Sequence, residues 1–379
     1  MQICICRVRV EYRTIEEWCE ILDSQRIPIT AKNRIEGPYP YYGANGIQGY
    51  VNDYIFDDEL VLLAEDGGNF GSKDRPIAYR VSGKCWVNNH AHVLKPKNDL
   101  NVDYLCYSLM FYNTNGLVNG ATRQKLTQST MRKMKIPYLK INKQQEIVQK
   151  IKKIESILSD LNGQLDLLDE LVKARFVEMF GDPVINDKKW PTVSVENLCD
   201  EIYGGGTPSK AHEEYYENGD IPWVSSKDMK TDVVTDSQIK INQLGIENST
   251  ARLVPVNSVI MVIRSGILKH TLPVAINAVP ITVNQDLKVF VPGNKITSRF
   301  LAAQFKMQEK SILFGVRAVT ADNIEFNSLK ARRMIVPPLE LQNQFASFVK
   351  EIDKSRSRIQ KSLEASQELF DSLMQEYFG

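Results

Sequence analysis

Residues 141–181 read INKQQEIVQKIKKIESILSDLNGQLDLLDELVKARFVEMFG, and residues 339–379 read LELQNQFASFVKEIDKSRSRIQKSLEASQELFDSLMQEYFG. The fold turns on reading the two together. Gln144 falls on Gln342, Phe180 on Phe378 and Gly181 on Gly379, each pair 198 residues apart. In the first stretch apolar residues stand at Ile147, Ile151, Ile154, Leu158, Leu161, Leu165, Leu168 and Val172. Their steps alternate four and three, the heptad period of a helix with one apolar seam. The second stretch carries Phe345, Val349, Ile352, Ile359, Leu363 and Phe370 at matching positions, then Leu373 and Tyr377. No proline interrupts either. Each is expected to be one helix of about 38 residues, ~57 Å long at 1.5 Å per residue. Two such helices could dock separately on two cores. A seam this regular, present twice, predicts instead that they pair with each other as an antiparallel coiled coil. Arg356 and Ser366 break the second seam. They mark either a loose, solvated stretch or buried polar positions that fix register.

The repeat extends outward from the helices. Trp18–Cys19 resembles Leu198–Cys199, Val87–Asn88 matches Val283–Asn284, and Tyr104–Leu105 matches Phe300–Leu301. Leu60–Leu63 resembles Val259–Val262. These short apolar runs, and the β-branched segments Ile281–Val283 and Leu287–Val291, read as strands. Tyr42–Gly46 and Gly204–Pro208 read as loops, and Met1–Val10 alternates like a strand. The chain is therefore expected to be α+β. Mixed α/β modules at 1–140 and 184–338 alternate with long helices at 141–183 and 339–379, in pseudo-twofold fashion.

The chain of 379 residues carries 47 basic and 46 acidic side chains, so its net charge of +1 argues against indiscriminate coating of nucleic acid. Split along the repeat, the modules carry +3 and +2 and the helices −2 each. No acid occurs between Asp103 and Glu146, a window holding Arg123, Lys125, Arg132, Lys133, Lys135, Lys140 and Lys143. The second module echoes it with Lys288, Lys295, Arg299 and Lys306, then Lys330, Arg332 and Arg333. Cations interleaved with Tyr, Asn, Gln and Thr suit phosphate contact together with hydrogen bonding to base edges. A solvated surface would explain either window alone; recurrence favours nucleic acid.

Catalytic signatures are missing. His90 and His92 would share one face of a strand, but two ligands are too few for a metal, and no Cys-x-x-Cys occurs. Gly67–Lys73 fails the phosphate-loop spacing and reads as a turn. No nucleophile elbow, zinc-protease or dinucleotide fingerprint appears. The Asn/Asp-Pro-Pro-aromatic tetrapeptide of amino-methyltransferases is absent as well; Asp182–Pro183–Val184 is its nearest approach. Six sparse cysteines (Cys4, Cys6, Cys19, Cys85, Cys106, Cys199) and the want of any long apolar run predict a reduced cytoplasmic protein without a membrane span.

A family resemblance covers nearly the whole chain. Gly204–Lys210, Tyr215–Tyr216 and Gly219–Met229 look like the target-recognition domain of type I restriction–modification specificity subunits. Gly37–Ile47 looks like another branch of that domain. Val336–Gln342 resembles the start of the family's conserved helical region, and Phe180–Pro183 its end. The first helical entry, Ile136–Gln144, departs by lacking a second proline and by two extra residues. The resemblance implies a non-catalytic chain that binds double-stranded DNA with a bipartite target, each recognition domain reading one half. It implies two methyltransferase (modification) subunits and restriction/translocase subunits as partners. S-adenosylmethionine, ATP and Mg are then expected on those partners, and no cofactor on this chain. The two domains are too diverged to share one target sequence.

Within that reading, loop residues able to contact phosphates or bases are Tyr42, Asn45, Lys73, Arg123, Gln124 and Lys125 in the first module. In the second they are Thr207, Ser209, Lys210, Ser226, Lys227, Arg264 and Lys269. Thr207 serves equally well as a turn former. Two rivals remain: a coiled-coil scaffold that recruits enzymes without reading DNA, and a nuclease or methyltransferase of unfamiliar type.

Overall fold

The computed structural model describes residues 11–120, 123–314, 317–318 and 322–379. The expected strand at Met1–Val10, with Cys4 and Cys6, lies outside them. The chain forms two compact units, residues 1–163 with 360–379, and residues 164–359. The heptad stretches are continuous helices, Ile141–Phe180 and Leu339–Phe378, each of 40 residues. Each helix is divided between the units. Gly181 ends the first at φ +75°, the left-handed conformation that a helix C-terminus takes most readily with glycine. Trp190 then donates its indole N–H to the Phe180 carbonyl at the helix end, at 2.9 Å.

In the first unit six strands lie in the order Cys19–Ile21, Ala91–Pro96, Phe56–Ala64, Ala78–Val87, Tyr39–Gly43, Gly46–Val51. Leu60–Ala64 is apolar without alternation because both of its faces are covered. Val61 and Leu63 enter one apolar cluster while Leu60 and Leu62 enter another. Helix Val102–Met110, capped by the Asn101 side chain, packs on the first of these. The start of the first long helix (Ile147, Ile151, Ile154) and the end of the second (Phe370, Met374) close the same cluster.

The second unit repeats the plan. Five strands lie in the order Cys199–Gly204, Leu287–Pro292, Val259–Val262, Val274–Asn277, Val233–Val234. Three more lie in the order Lys240–Ile241, Ile221–Val224, Thr282–Val283. The single strand Ala78–Val87 thus has two short counterparts, Val274–Asn277 and Thr282–Val283. Pro280, without an N–H to donate, lies in the break. The parallel pairing Tyr42↔Val87 recurs as Val224↔Val283.

Strand pairing corrects the repeat by one residue. Val61 pairs with Leu94 and Val259 with Phe290, so Val61–Ala64, not Leu60–Leu63, is the counterpart of Val259–Val262. Two all-apolar runs look alike in either register; only their partners distinguish the registers.

The helices join each unit through one device, used twice. Gln144 is fully buried; it accepts the Asn101 amide at 2.8 Å and donates to the carbonyls of Asp99 (3.0 Å) and Leu139 (2.8 Å). Gln342, also fully buried, accepts the Thr297 amide at 2.9 Å and donates to Lys295 (3.1 Å) and Pro337 (2.9 Å). Asn101 and Thr297 are both helix N-caps. Within the second unit Phe345 packs edge-to-face against Phe176 and Phe180, and further along Arg356 pairs with Asp169 at 2.7 Å. Partner numbers fall as helix numbers rise, so the helices run antiparallel. Every seam residue from Ile147 to Val172, and from Phe345 to Phe370, is buried or half-buried. Arg356 thus has an ionic partner across the seam, and Ser366 is half-buried.

Candidate nucleic-acid interface

One end of the first module's sheet gathers most of the residues singled out there. Strand Phe56–Ala64 runs out into Glu65–Gly68, and the backbone of that turn ties in two other loops. Asn45 donates its side-chain amide to the Gly67 carbonyl at 3.0 Å. The Gly67 amide donates to Gln124, and the Leu126 amide to Glu65 at 2.7 Å. The Asn88 amide donates to Tyr42. Asn119 and Lys125 are bridge partners, and Lys125 also bridges Asp66. Asn45, Arg123, Gln124 and Lys125 therefore share one loop cluster, while Tyr42 lies beside it near the end of strand Tyr39–Gly43 and not in a loop. Tyr42 is half-buried, while Gln124 and Lys73 are exposed.

The cations here are not free. Arg123 reaches Asp66 at 2.6 Å, and Lys125 reaches Glu65 at 3.1 Å. Both side chains keep more than half their surface in water, at 59% and 51%, so a phosphate can compete for either. Asp66 also holds His90 at 2.7 Å.

The second module builds the same cluster with different chemistry. The Ile263 amide donates to Asp286, as the Glu65 amide does to His90. The Ile324 amide donates to Ile263, as Leu126 does to Glu65. Asn323 bridges Arg264, as Lys125 bridges Asp66. Arg264 thus stands where the first module has Asp66, and Asp286 where it has His90. The pair recurs in position with its acid on the other loop, Arg264 and Asp286 lying 2.6 Å apart. An acidic acceptor stands in one module and a guanidinium donor in the other, groups of complementary hydrogen-bonding character. Thr207 donates to Gln285 at 2.9 Å at this same end. Ser226 and Lys227 sit in a turn pinned by Asp228, which accepts from Ser225. Lys269 is exposed on the short turn Gly266–Lys269. Ser209 is exposed, and Lys210 lines a shallow groove with Glu213, Tyr216, Glu217 and Ile239. Residue type alone missed Asp66, His90, Asn119 and Asp286. The Asn88/Asn284 identity was the available signal, because those asparagines begin the loops that carry His90 and Asp286.

The two histidines do not share a strand face. The strand starts at Ala91, which leaves His90 in the preceding turn and buries His92 completely. His92 bonds Asp23 at 2.7 Å through Nδ1 and the Leu126 carbonyl at 2.9 Å through Nε2. Asp23, Glu65 and His92 lie close enough to hold a metal ion. Their ligand atoms already face a cation, since Arg26 reaches Glu65 at 2.6 Å and Asp23 at 3.6 Å. Asp23 also accepts from Gln128 and the Val93 amide, both at 2.9 Å. The arrangement is a saturated charge network under the loop cluster.

Burial raises the affinity of Asp23 for a proton, but hydrogen bonds from His92, Val93 and Gln128 outweigh it and hold the carboxyl below its ordinary range. Its contribution to stability is present above the ordinary aspartate range and is lost as pH falls through the lowered value. Asp23→Asn should therefore be less stable than the parent at pH 7 and lose less on acidification. Urea unfolding between pH 7 and 3 measures this; parallel curves for the two proteins would exclude it.

Away from the loops, Cys19, Cys85, Cys106 and Cys199 are free thiols. No helix among the described residues is long and apolar enough to cross a membrane.

A duplicated sheet-and-helix module with polar loops at matching ends, tied to paired long helices, has the layout of a DNA-specificity protein. Residues 7–168 and 187–367 each match the type I restriction modification DNA specificity domain, and the chain belongs to that family. It is 27% identical over 350 residues to the Escherichia coli type I restriction enzyme EcoR124I/EcoR124II specificity subunit, covering 86% of this chain and 82% of that one. It is 26% identical over 367 residues to a putative type I restriction enzyme specificity subunit of Haemophilus influenzae, S.HindORF215P, covering 93% and 90%. The crystal structure of a type I restriction–modification S subunit from M. genitalium shares the fold, with a TM-score of 0.60 at 13% identity over 99% of this chain and 98% of that one.

Proposed function

We propose that this chain is the specificity subunit of a type I restriction–modification complex, in which each module reads one half of a bipartite DNA target. The observation that carries the reading is the equivalent loop cluster in both modules, with Asp66 in one and Arg264 in the other. A scaffold indifferent to sequence has no need of two matching polar clusters with opposite charges at that one position. In this reading Lys73, Arg123, Lys125, Lys210, Lys227 and Lys269 meet phosphates. Tyr42, Asn45, Gln124, Thr207, Ser209, Ser226 and Arg264 meet bases or position the loops.

The paired helices then set the unread spacer between the half-targets. They also offer a surface to two methyltransferase subunits, with Leu167 and Leu171 exposed at 63% and 46% on the outer face of the first. Restriction/translocase subunits join that assembly. S-adenosylmethionine, ATP and Mg belong to the partners.

Mapping methylated adenines across the genome, with and without this protein, tests the function. Loss of one gapped motif is the expected result; an unchanged map would sink the reading. Inserting one heptad into each long helix adds ~10 Å to the spacer. It should change the gap in the motif and spare both half-sequences. An unchanged gap would show that the helices do not set it.

A further inference from the structure

The network beneath the first module's loops has a counterpart in the second, and its charge is not balanced there. Pairing registers align the two: His92 is bonded opposite Leu63, and Lys288 opposite Met261, at the same step of equivalent strands. Leu22 donates to Val93 just before Asp23, while Tyr203 pairs with Val289 just before Gly204. Gln128 opens one short helix and Phe326 the equivalent one. Where the first module has the aspartate, histidine and glutamine, the second has Gly204, Lys288 and Phe326.

Three changes thus act together. Gly204 removes the carboxylate and also the side chain, and the Lys288 ammonium lies 2.5 Å from where a Cβ there would be. Phe326 presents its ring to two ammonium groups, Lys288 at 4.7 Å and Lys330 at 4.9 Å. Arg264, itself paired with Asp286 at 2.6 Å, stands close enough to add to the field at Lys288. Among the described residues, neither lysine has an ion pair with a carboxylate. Burial, then repulsion from Lys330 and Arg264, makes Lys288 easier to deprotonate than an ordinary lysine. Like charges gathered on one ring with no acid between them are unfavourable unless an anion completes the site.

We propose that Lys288 and Lys330, with Arg264 beside them, form a phosphate-binding site for the DNA backbone, peculiar to the second module. The inference rests on the DNA-reading function proposed above. The first module neutralises its equivalent position internally, so it grips DNA without this contact. The two halves of the target are then held with unequal salt dependence.

The test uses the full chain, alone and with its methyltransferase partner, binding a mixed-sequence DNA duplex across a salt series. Lys288→Gln with Lys330→Gln should weaken binding about tenfold and reduce the salt slope by about one to two. The melting temperature should stay level or rise, because the repulsion is relieved. Lys288→Arg with Lys330→Arg should restore binding. Chemical acetylation should be blocked at both lysines by the duplex and not by inorganic phosphate at the same phosphate concentration. Unchanged affinity and slope in the glutamine variant, with DNA still bound by the parent, would overturn the site and leave the recognition function standing. A fall in melting temperature that accounts for lost binding would make the lysines structural and overturn it as well. Equal protection by inorganic phosphate would assign a free-anion site instead. If the parent binds no DNA in either form, both readings fail.

Discussion

Gln342→Leu is expected to destabilise the second unit by about 3–5 kcal/mol, although leucine is close to glutamine in size. The glutamine is fully buried and accounts for three backbone groups at once: the Thr297 amide and the carbonyls of Lys295 and Pro337. Each group left without a partner in an apolar setting costs about 1–3 kcal/mol. The Thr297 amide matters most, since it belongs to the N-cap of helix Ser298–Met307, whose Phe300, Leu301 and Phe305 are buried in the core. Gln144→Leu should do the same in the first unit through Asn101, Asp99 and Leu139. Urea unfolding of the full chain measures both. A loss under 1 kcal/mol in either variant would mean that the glutamine is replaceable by packing, and that its identity at offset 198 has another cause.

Phe345→Ala is expected to cost a similar amount, about 3–5 kcal/mol, by a different route. Phe345 is fully buried, with ring centroids 5.5 Å from Phe176, 5.7 Å from Phe180 and 6.4 Å from Phe300. Three elements meet there: the end of the first long helix, the start of the second, and the module's own helix. Truncation opens a cavity among aromatic rings that cannot collapse into it, and it removes three edge-to-face contacts. The loss should appear as a lower melting temperature of the second unit. Phe345→Leu should recover more than half of it. An alanine variant that melts with the parent would show that the helix is held elsewhere.

The long helices were legible because a heptad seam is a local signal with a fixed period, and duplication displayed it twice. The repeat of the modules was legible at the positions where buried groups constrain residue type, such as Trp18–Cys19, Asn88/Asn284 and Tyr104/Phe300. Its register across Leu60–Leu63 was not, because an apolar run buried on both faces has no alternation to mark its phase. The strand expected through His90 and His92 shows the same limit. A turn and a strand start one residue apart look alike until the partner strand is known.

The candidate DNA-contact residues illustrate a second limit. Residue type and loop position selected Asn45, Arg123, Gln124 and Lys125, which the fold does bring together. The same criteria passed over Asp66 and Asp286, because a search for cations discards carboxylates. They placed Lys288 and Lys330 in the second module's basic windows without separating either from its neighbours there. Nothing in the chain order shows that both ammonium groups rest on Phe326, nor that Gly204 occupies the place of Asp23.

By itself, then, the sequence determined what repeats: a module and a long helix, twice over, with no signature of catalysis in either. Periodicity and identity at a constant offset are properties of the linear chain, so they survive without coordinates. The tertiary structure decided which charges meet. Asp66 with Arg123, Arg264 with Asp286, and Lys288 with Lys330 lie 57, 22 and 42 residues apart. Only strand register and helix packing bring them within reach. Electrostatic energy depends on distance in space and on burial, neither of which a residue's place in the chain encodes.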